Sequence, residues 1–291
     1  MGESTVITQD ALNIMLNQTE TKDKLKEVLS GVLENVYANA VSERIKAKNG
    51  SGKPEGGVIE YKRFANAQVQ DKGTARNAGK GSTVNASPVK VYIDDDKEIV
   101  EELQGKDVTL YGIDGMAERR KTNHSSAMIR YLDREFFKKV KEGTKITAKN
   151  TVKETIDALL LQARTLQNDF IDGIESDLLV IVVDSTYRRA LKDILDDLPK
   201  GTDPKDQAIG MYDGVRVYES IRLPDETNNN VHTKVRATVM MDGAIAQPFY
   251  TSEYGAEKIQ FDDAVALEDF LYKGTKALMP DTIFYTEETI S

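Results

Sequence analysis

Cysteine is absent from this chain of 291 residues, and histidine is nearly absent. Without cysteine the chain can form no disulfide bond, no thiolate metal site and no thiolate nucleophile, which fits a reducing cytoplasm. The two histidines, His124 and His232, lie in separate segments, without a second imidazole three or four residues away. Because zinc motifs use such short spacings, no histidine metal centre is predicted, and both residues are assigned surface or packing roles.

Long apolar runs and an excess of positive charge are also missing. Residues 1–16 lack the basic start and the continuous apolar core of a signal peptide, and no run reaches the length of a membrane span. The formal net charge of -9 argues against a protein that mainly binds nucleic acid, because phosphate binding needs a basic surface. We therefore expect synthesis in the cytoplasm and no membrane partner.

Known catalytic motifs are not found. The chain has no G-x-S-x-G elbow, no H-E-x-x-H pair and no glycine fingerprint after a strand. The acidic pairs at 196–197 and 262–263 lie in polar segments, which do not separate the two pKa values as acid–base catalysis requires. No catalytic residue, cofactor or metal ligand is predicted, and the chain is not expected to be an enzyme.

Two partial motifs fail on their spacing. Five residues separate the first two glycines of residues 73–80, and Gly81 follows Lys80. A phosphate-binding loop needs four residues there and Ser or Thr after its lysine. The acidic run 94–98 is followed by Ile99, where a calcium loop needs glycine, so neither a nucleotide nor a calcium site is predicted.

The most distinctive stretch is residues 58–102. Residues 58–64 and 83–94 are rich in β-branched and aromatic side chains, and they flank the polar, glycine-containing residues 71–82. This pattern predicts an extended hairpin with an exposed tip. Because a two-stranded ribbon is marginally stable alone, it should lie either on the rest of the chain or on a neighbouring copy.

The two ends of this ribbon carry opposite charge. In the tip, only Asp71 opposes the cations, which are Lys72, Arg76 and Lys80. The base is acidic and includes Asp94, Asp95 and Asp96. Complementary patches set partner choice and register, so the tip of one copy could meet an acidic surface on another. The alternative is a solvated loop beside a solvated acidic turn.

Two long helices are predicted around the ribbon. Apolar residues recur at i, i+3, i+4 and i+7 within residues 21–48, as in an amphipathic helix. Helix breakers concentrate in residues 49–57 and predict a linker. The second helix begins at the capping residue Asp114 and ends at Gly143, which gives it roughly 25–30 residues and a length on the order of 40 Å.

From residue 145 the pattern alternates between helix and strand. Helices are predicted over residues 151–168 and 185–198, because their apolar residues recur at helical spacing. Between them, the continuously apolar residues 178–183 predict a strand buried on both faces. This order indicates a compact mixed α/β subdomain.

The remainder of the chain predicts further strands and polar loops. Strands are expected within residues 210–224 and at 235–241, and exposed loops at 200–207 and 225–231. The segment 264–285 stays ambiguous. Its first apolar residues fit a helix, whereas its later part fits two short strands.

Taken together, this order resembles the major capsid protein of tailed bacteriophages, whose fold is shared by encapsulins and herpesvirus capsid floors. The resemblance covers nearly the whole chain. The ribbon from residues 61–64 through residues 92–96 looks like the extended loop of capsid proteins from phages of low-GC Gram-positive hosts. The other most specific pieces are residues 176–187, 214–224 and 244–248.

The resemblance implies an α+β phage capsid fold with five parts. An N-terminal arm precedes an extended loop, followed by a peripheral domain with a long spine helix, an α/β axial domain and a return to the peripheral domain. In this sequence those parts would be residues 1–57, 58–104, 105–144, 145–248 and 249–291.

The resemblance also implies a function and partners. The chain would self-assemble in pentamers and hexamers into an icosahedral shell around double-stranded DNA, without sequence-specific contacts. It would be a virion component assembled in the host cytoplasm, and a portal protein would join it. The segment before the hairpin is short, so we expect a separate scaffolding protein. Lys72 and Lys80 lie where some relatives form Lys–Asn cross-links, but no cross-link is expected here.

Ten residues are predicted at subunit interfaces. They are Lys72, Arg76, Lys80, Asp94, Asp95, Asp96, Arg119, Arg120, Lys205 and Asp225. Two other functions stay open. An encapsulin would use the same fold around an enzyme cargo, and an α/β enzyme would hold a small molecule at the strand carboxyl ends within residues 151–198.

Overall fold

A computed structural model describes residues 19–64, 71–73, 86–200, 202–203, 206–251, 255–258 and 264–290. The helices are Thr19–Asn39 (α1), Val41–Ile45 (α2), Gly105–Lys138 (α3), Val152–Arg164 (α4) and Ser185–Leu191 (α5). The first seven strands are Val58–Phe64 (β1), Ala86–Tyr92 (β2), Asp95–Gln104 (β3), Thr144–Lys145 (β4), Leu179–Val183 (β5), Gly210–Tyr212 (β6) and Val215–Glu219 (β7). The others are Asp225–Asn228 (β8), Val231–Met241 (β9), Ile245–Ala246 (β10), Phe249–Thr251 (β11), Gly255–Lys258 (β12), Ala264–Lys273 (β13), Lys276–Ala277 (β14) and Ile283–Ile290 (β15).

The predicted amphipathic helix is confirmed as α1, but it ends earlier than expected. Ala40 has an extended backbone, with φ -79° and ψ 128°, and separates α1 from the short helix α2. The break lets α2 dock on α3. Asp133, which is almost fully buried, accepts hydrogen bonds from the Ser42 backbone N–H at 3.0 Å and from the Ser42 hydroxyl at 2.8 Å.

The long helix is also confirmed, with an earlier start than predicted. Gly112 interrupts α3 with φ 72° and ψ 165°, a backbone that glycine adopts without steric cost. Asp114, the predicted start, lies just beyond this interruption. The helix continues as a 3-10 turn, Lys139–Glu142, and stops at Gly143 as expected. Its predicted apolar stripe is buried at Leu132, Phe136, Phe137 and Val140.

A large mixed sheet with strand order β4-β15-β9-β5-β7-β6 carries the α/β part of the chain. All five residues of β5 are buried, as their continuous apolar run predicted. Thr151 caps α4 by accepting a hydrogen bond from the Glu154 N–H at 3.2 Å. The helix α5 is shorter than predicted, because the chain leaves it to form a bridge in which the Asp196 N–H donates to the Met211 carbonyl at 2.8 Å.

Two predictions for the later segments are corrected. Residues 225–231, expected to be a loop, form the hairpin β8–β9, with a turn at Asn229 and Asn230, whose φ values are 49° and 63°. The helix alternative for the first residues of 264–285 is wrong, because they form β13, whereas the later part, predicted as two short strands, contains β14 and the start of β15. Tertiary pairing decides this segment, since local propensity is the weaker effect in strands.

A second sheet is built around β13. All ten residues of β3 pair antiparallel with β13, from Asp95 opposite Lys273 to Gln104 opposite Ala264. The strands β11 and β12 pair with the other edge of β13. Residues 95–104, predicted only as the acidic end of the ribbon, therefore connect the ribbon to the C-terminal part of the chain.

The predicted ribbon is confirmed where the structure describes it. Strands β1 and β2 pair antiparallel, from Val58 opposite Tyr92 to Phe64 opposite Ala86. One face packs on the body of the same chain through a buried cluster of Ile59, Tyr61, Val91 and Ala246. Most of the tip, residues 74–82, lies outside the described residues, as do residues 83–85 of the predicted second strand. No helix in the described ranges is long and apolar enough to cross a membrane.

Candidate subunit interface

Three of the ten predicted interface residues, Arg76, Lys80 and Lys205, lie outside the described ranges. Lys72, the remaining basic residue of the tip, is exposed, as is Arg119 on α3. Asp225 is exposed on β8, and it bonds to His232 across the hairpin. That hydrogen bond lowers the pKa of Asp225 and outweighs the opposing effect of burial.

The acidic residues near the ribbon base divide between two faces of β3. Side chains alternate along a strand, so Asp95 and Glu101 point toward α3, whereas Asp96 points away. Asp94, which precedes the strand, is exposed. The charges of this run therefore have two different surroundings.

At the first inward-facing position, Asp95 joins three elements. Its carboxylate accepts hydrogen bonds from the Lys273 ammonium at 2.6 Å, the Tyr131 hydroxyl at 2.5 Å and Lys97 at 2.8 Å. Burial alone would raise the pKa of Asp95, but the bonds from Lys273, Lys97 and Tyr131 hold it well below its usual range. Asp95 is thus engaged within its own subunit.

Glu101 forms a second inward-facing cluster. Its carboxylate accepts a hydrogen bond from the Arg120 Nε at 2.5 Å and lies 2.9 Å from the His124 Nε2. The bond from Arg120 is the main reason that the pKa of Glu101 is lowered. His124 is almost fully buried, which agrees with a packing role, and Arg120 is engaged within the subunit.

The outward side of this sheet combines acidic and aromatic residues. We call it the outer face, and it comprises Asp96, Glu98, Val100, Glu102, Phe270 and Tyr272. On β3 the three carboxylates are exposed and Val100 is 51% exposed. Tyr272 stacks on Tyr250 of β11, with ring centroids 4.8 Å apart. The result is an acidic surface with apolar groups beside it.

Sequence reasoning did not find the aromatic half of the outer face. Apolar Ile99 and Val100 are adjacent, and charged residues occupy both faces of β3, so no clean alternation indicates a half-buried strand. The pairing of β3 with β13 could not be predicted from local sequence patterns, because the two strands are far apart in sequence.

The ribbon is held to the body by an ion pair that sequence reasoning also missed. The Arg63 guanidinium donates two hydrogen bonds to the Asp281 carboxylate, at 2.8 and 2.6 Å. The Cζ atom of the Arg63 guanidinium lies 4.3 Å from the centre of the Phe170 ring, in a cation–π contact. Burial alone would raise the pKa of Asp281. The interactions with Arg63 and Asn168 lower it by more, so the pKa is below its ordinary value. A bidentate contact between Arg and a carboxylate fixes the relative orientation of the two side chains as well as their distance.

Close backbone contact supports the same junction. A Cβ atom on Gly274 would lie 1.9 Å from the Tyr92 carbonyl oxygen, so only glycine permits this approach. The Lys276 ammonium donates to the Lys90 carbonyl at 3.1 Å. The base of the ribbon is therefore anchored at the C-terminal end of β2.

The strand carboxyl ends, where the enzyme alternative places its site, are occupied by mutual ion pairs. Asp184 follows β5 and accepts a hydrogen bond from Arg236 at 2.7 Å. Arg236 also donates to Glu288 at 2.9 Å, and the Tyr187 hydroxyl donates to the same carboxylate. These described groups bind one another at the carboxyl end of β5. Their contacts stabilise the sheet and do not favour the enzyme alternative.

Comparisons with known proteins reveal the fold but no relative in sequence. No protein-family model matches the chain, and no curated protein matches it. The head structure of Helicobacter pylori bacteriophage KHP40 is similar with a TM-score of 0.59 and 11% identity, over 87% of this chain and 91% of that chain.

Two further solved structures agree with that match. The capsid of Ralstonia phage GP4 gives a TM-score of 0.55 at 10% identity, over 85% of this chain and 86% of that chain. Mycobacterium phage Che8 gives 0.52 at 17% identity, over 79% and 84%. Each likeness spans most of both chains. The chain therefore has the α+β fold of phage capsid proteins.

Proposed function

We propose that this chain is a structural protein that assembles, in pentamers and hexamers, into the icosahedral shell of a bacteriophage head. The observation that carries this proposal is the likeness to phage heads and capsids over 79% to 87% of the chain. The mutual ion pairs at the carboxyl end of β5 favour this function over an enzyme. Many modest contacts per subunit can stabilise a closed shell because they act together.

The five-part division of the chain belongs to the same proposal. Each subunit of the shell would be built from five parts. They are the arm (1–57), the extended loop (58–104), the peripheral domain (105–144), the axial domain (145–248) and the return segment (249–291). The pairing of β3 with β13 supports a mechanical connection between the loop and the return segment. A force that a neighbouring subunit exerts on the ribbon would therefore be transmitted through β3 to the sheet that packs on α3.

We also propose a contact between copies. The basic tip of one subunit, with Lys72, Arg76 and Lys80, would lie on the outer face of the next. Exposed Asp96, Glu98 and Glu102 support this assignment, because opposite charges favour one partner and one register. Asp94 extends the same acidic surface. Asp95 and Arg120 are less suited, because their charges are engaged within the subunit.

The remaining partners follow from a shell function. A separate scaffolding protein would guide assembly, a portal protein would occupy one vertex, and packaged double-stranded DNA would lie inside without sequence-specific contacts. A net charge of -9 suits such non-specific enclosure. The protein would be a virion component assembled in the host cytoplasm, and a host among low-GC Gram-positive bacteria stays a prediction.

The test is expression of the full chain with and without a candidate scaffolding protein, followed by sedimentation and electron microscopy. Closed shells that depend on the scaffold would support the proposal. Small soluble particles under every condition would contradict it. Shells that enclose an enzyme rather than DNA would assign the fold to an encapsulin.

A further inference from the structure

Asp269 lies in the middle of β13 and is completely buried. Both oxygens of its carboxyl group lack a hydrogen-bond partner in the described part of the chain. Buried polar groups are normally paired, and burying an unpaired charge is costly.

The position of Asp269 follows from the strand register. It pairs with Ile99 of β3 and lies two residues from Leu271 and four from Lys273, so all three β13 side chains share the inward face. Leu271 packs with Met128 and Leu132 of α3 and with Val32 of α1. Asp269 is thus inside the joint between this sheet and the long helix. We use "the joint" for strands β3 and β13 packed on residues 124–135.

The charged groups around the joint are engaged with one another. On β13 and β3, Lys273 and Lys97 bind Asp95. Toward the other end, Glu101 binds Arg120 and His124 of α3.

The remaining described surroundings supply no evident counter-charge. Tyr131 of α3 donates to Asp95, and Glu135 is bound by Lys138. From α1 the contacts in this cluster are apolar, through Val32, Leu33 and Val36, and β11 contributes Phe249. The side chains of β12 are not described. The lowest-energy form of Asp269 in this setting is the neutral acid, because a neutral carboxyl loses less on leaving water.

We propose that the joint is sensitive to a single proton: it is closed while Asp269 is protonated and loosens when the carboxyl group ionises. The ionised form can regain solvation only if water enters or if β13 moves away from α3. Burial raises the pKa of Asp269 to about 7, which supports a transition near neutral pH. This device concerns the subunit itself and holds whether or not the shell proposal is correct.

Ionisation of Asp269 makes the stability of the folded chain fall as the pH rises. The ordinary pKa of the group is 3.8, so the carboxyl is neutral in both folded and unfolded chains below that pH. Between pH 3.8 and about 7 the unfolded chain releases the proton while the folded chain keeps it. The folded state therefore loses stability as the pH rises through this window, and above about pH 7 the loss stays constant.

Urea unfolding of the full-length chain between pH 5 and pH 8 tests the proposal against Asp269→Asn. We expect the folding equilibrium constant of the wild type to fall about a hundredfold relative to the variant across this range. Asp96→Asn, on the outer face of the neighbouring strand, is the matched control and should keep the wild-type profile. Parallel profiles for wild type and Asp269→Asn would overturn the proposal.

Hydrogen exchange of the wild type provides a test that needs no variant. After correction for intrinsic rates, residues 95–104 and 264–273 should exchange faster at pH 8 than at pH 6, while β5 should not change. If Asp269→Asn fails to fold, Asp269→Leu replaces it and should remove the difference. Equal protection of the joint at both pH values would overturn the proposal.

Discussion

At the scale of the residue, Asp95 and Asp96 carry the same charge and are adjacent in sequence, yet they have opposite surroundings. Asp95 faces α3 and is bound by Lys273, whose side chain is buried, whereas Asp96 faces solvent. The period of two in a strand produces this difference. A list of acidic residues therefore identifies charge, but only the strand register separates a structural carboxylate from one available to a partner.

Lys273→Met tests the structural half of this distinction. The substitution leaves Asp95 without its buried cation, so we expect the free energy of unfolding to fall by about 2–4 kcal/mol. Chemical denaturation measures this change. Lys90→Met, at an exposed position of β2, is the control and should change stability by less than about 0.5 kcal/mol. Equal stabilities of the two variants would contradict a structural role for the Lys273–Asp95 pair.

At the scale of the element, the ribbon depends on contacts that are far apart in sequence. Its two strands follow from local composition, but its attachment depends on Arg63 and Asp281, which are 218 residues apart. The breakers around residues 49–57 indicated a linker without indicating where the ribbon would lie. Local strand propensity thus predicted the ribbon, whereas tertiary contacts determine how the ribbon is oriented on the rest of the chain.

Arg63→Ala tests this attachment. We expect the body to stay folded with a loss of about 1–2 kcal/mol, because one charged hydrogen-bonding group is removed. Hydrogen exchange should become faster in residues 58–64 and 86–92 and stay unchanged in β5. Lys62→Ala, on the exposed face of the same strand, is the control. Unchanged protection of the ribbon in Arg63→Ala would show that other contacts hold it.

Elements with strong local patterns could be predicted from the sequence, whereas elements that depend on distant pairing could not. Strand β5 and helix α4 have strong, local patterns, and both lie within their predicted ranges, although α4 ends at Arg164 and not at residue 168. The apolar residues of β13 recur at helical spacing and therefore fitted a helix, and only pairing with β3 makes this segment a strand. The outer face could not be predicted, since it combines two strands that are distant in sequence.

At the scale of the whole molecule, the charges of the tip and of the outer face are expected to select the neighbouring copy. Reversal of Lys72, Arg76 and Lys80 to Glu should leave the subunit folded, because the sequence of the tip is polar and offers almost no apolar side chains to a core. Assembly should be blocked or deformed by like-charge repulsion.

Circular dichroism and sedimentation measure these two outcomes. The control reverses three exposed lysines elsewhere, Lys149, Lys192 and Lys200, with the same change in net charge. Normal shells from the tip variant would assign the tip to a solvated loop. Loss of assembly in both variants would attribute the effect to net charge alone.

Single-particle electron microscopy of the product assembled from the full-length chain and a candidate scaffolding protein tests whether this chain builds a shell. We expect closed icosahedral shells in which the subunit has the fold described for this chain and each basic tip lies on the outer face of the next copy. A product that stays monomeric or forms only small oligomers would contradict the claim that this chain builds a shell.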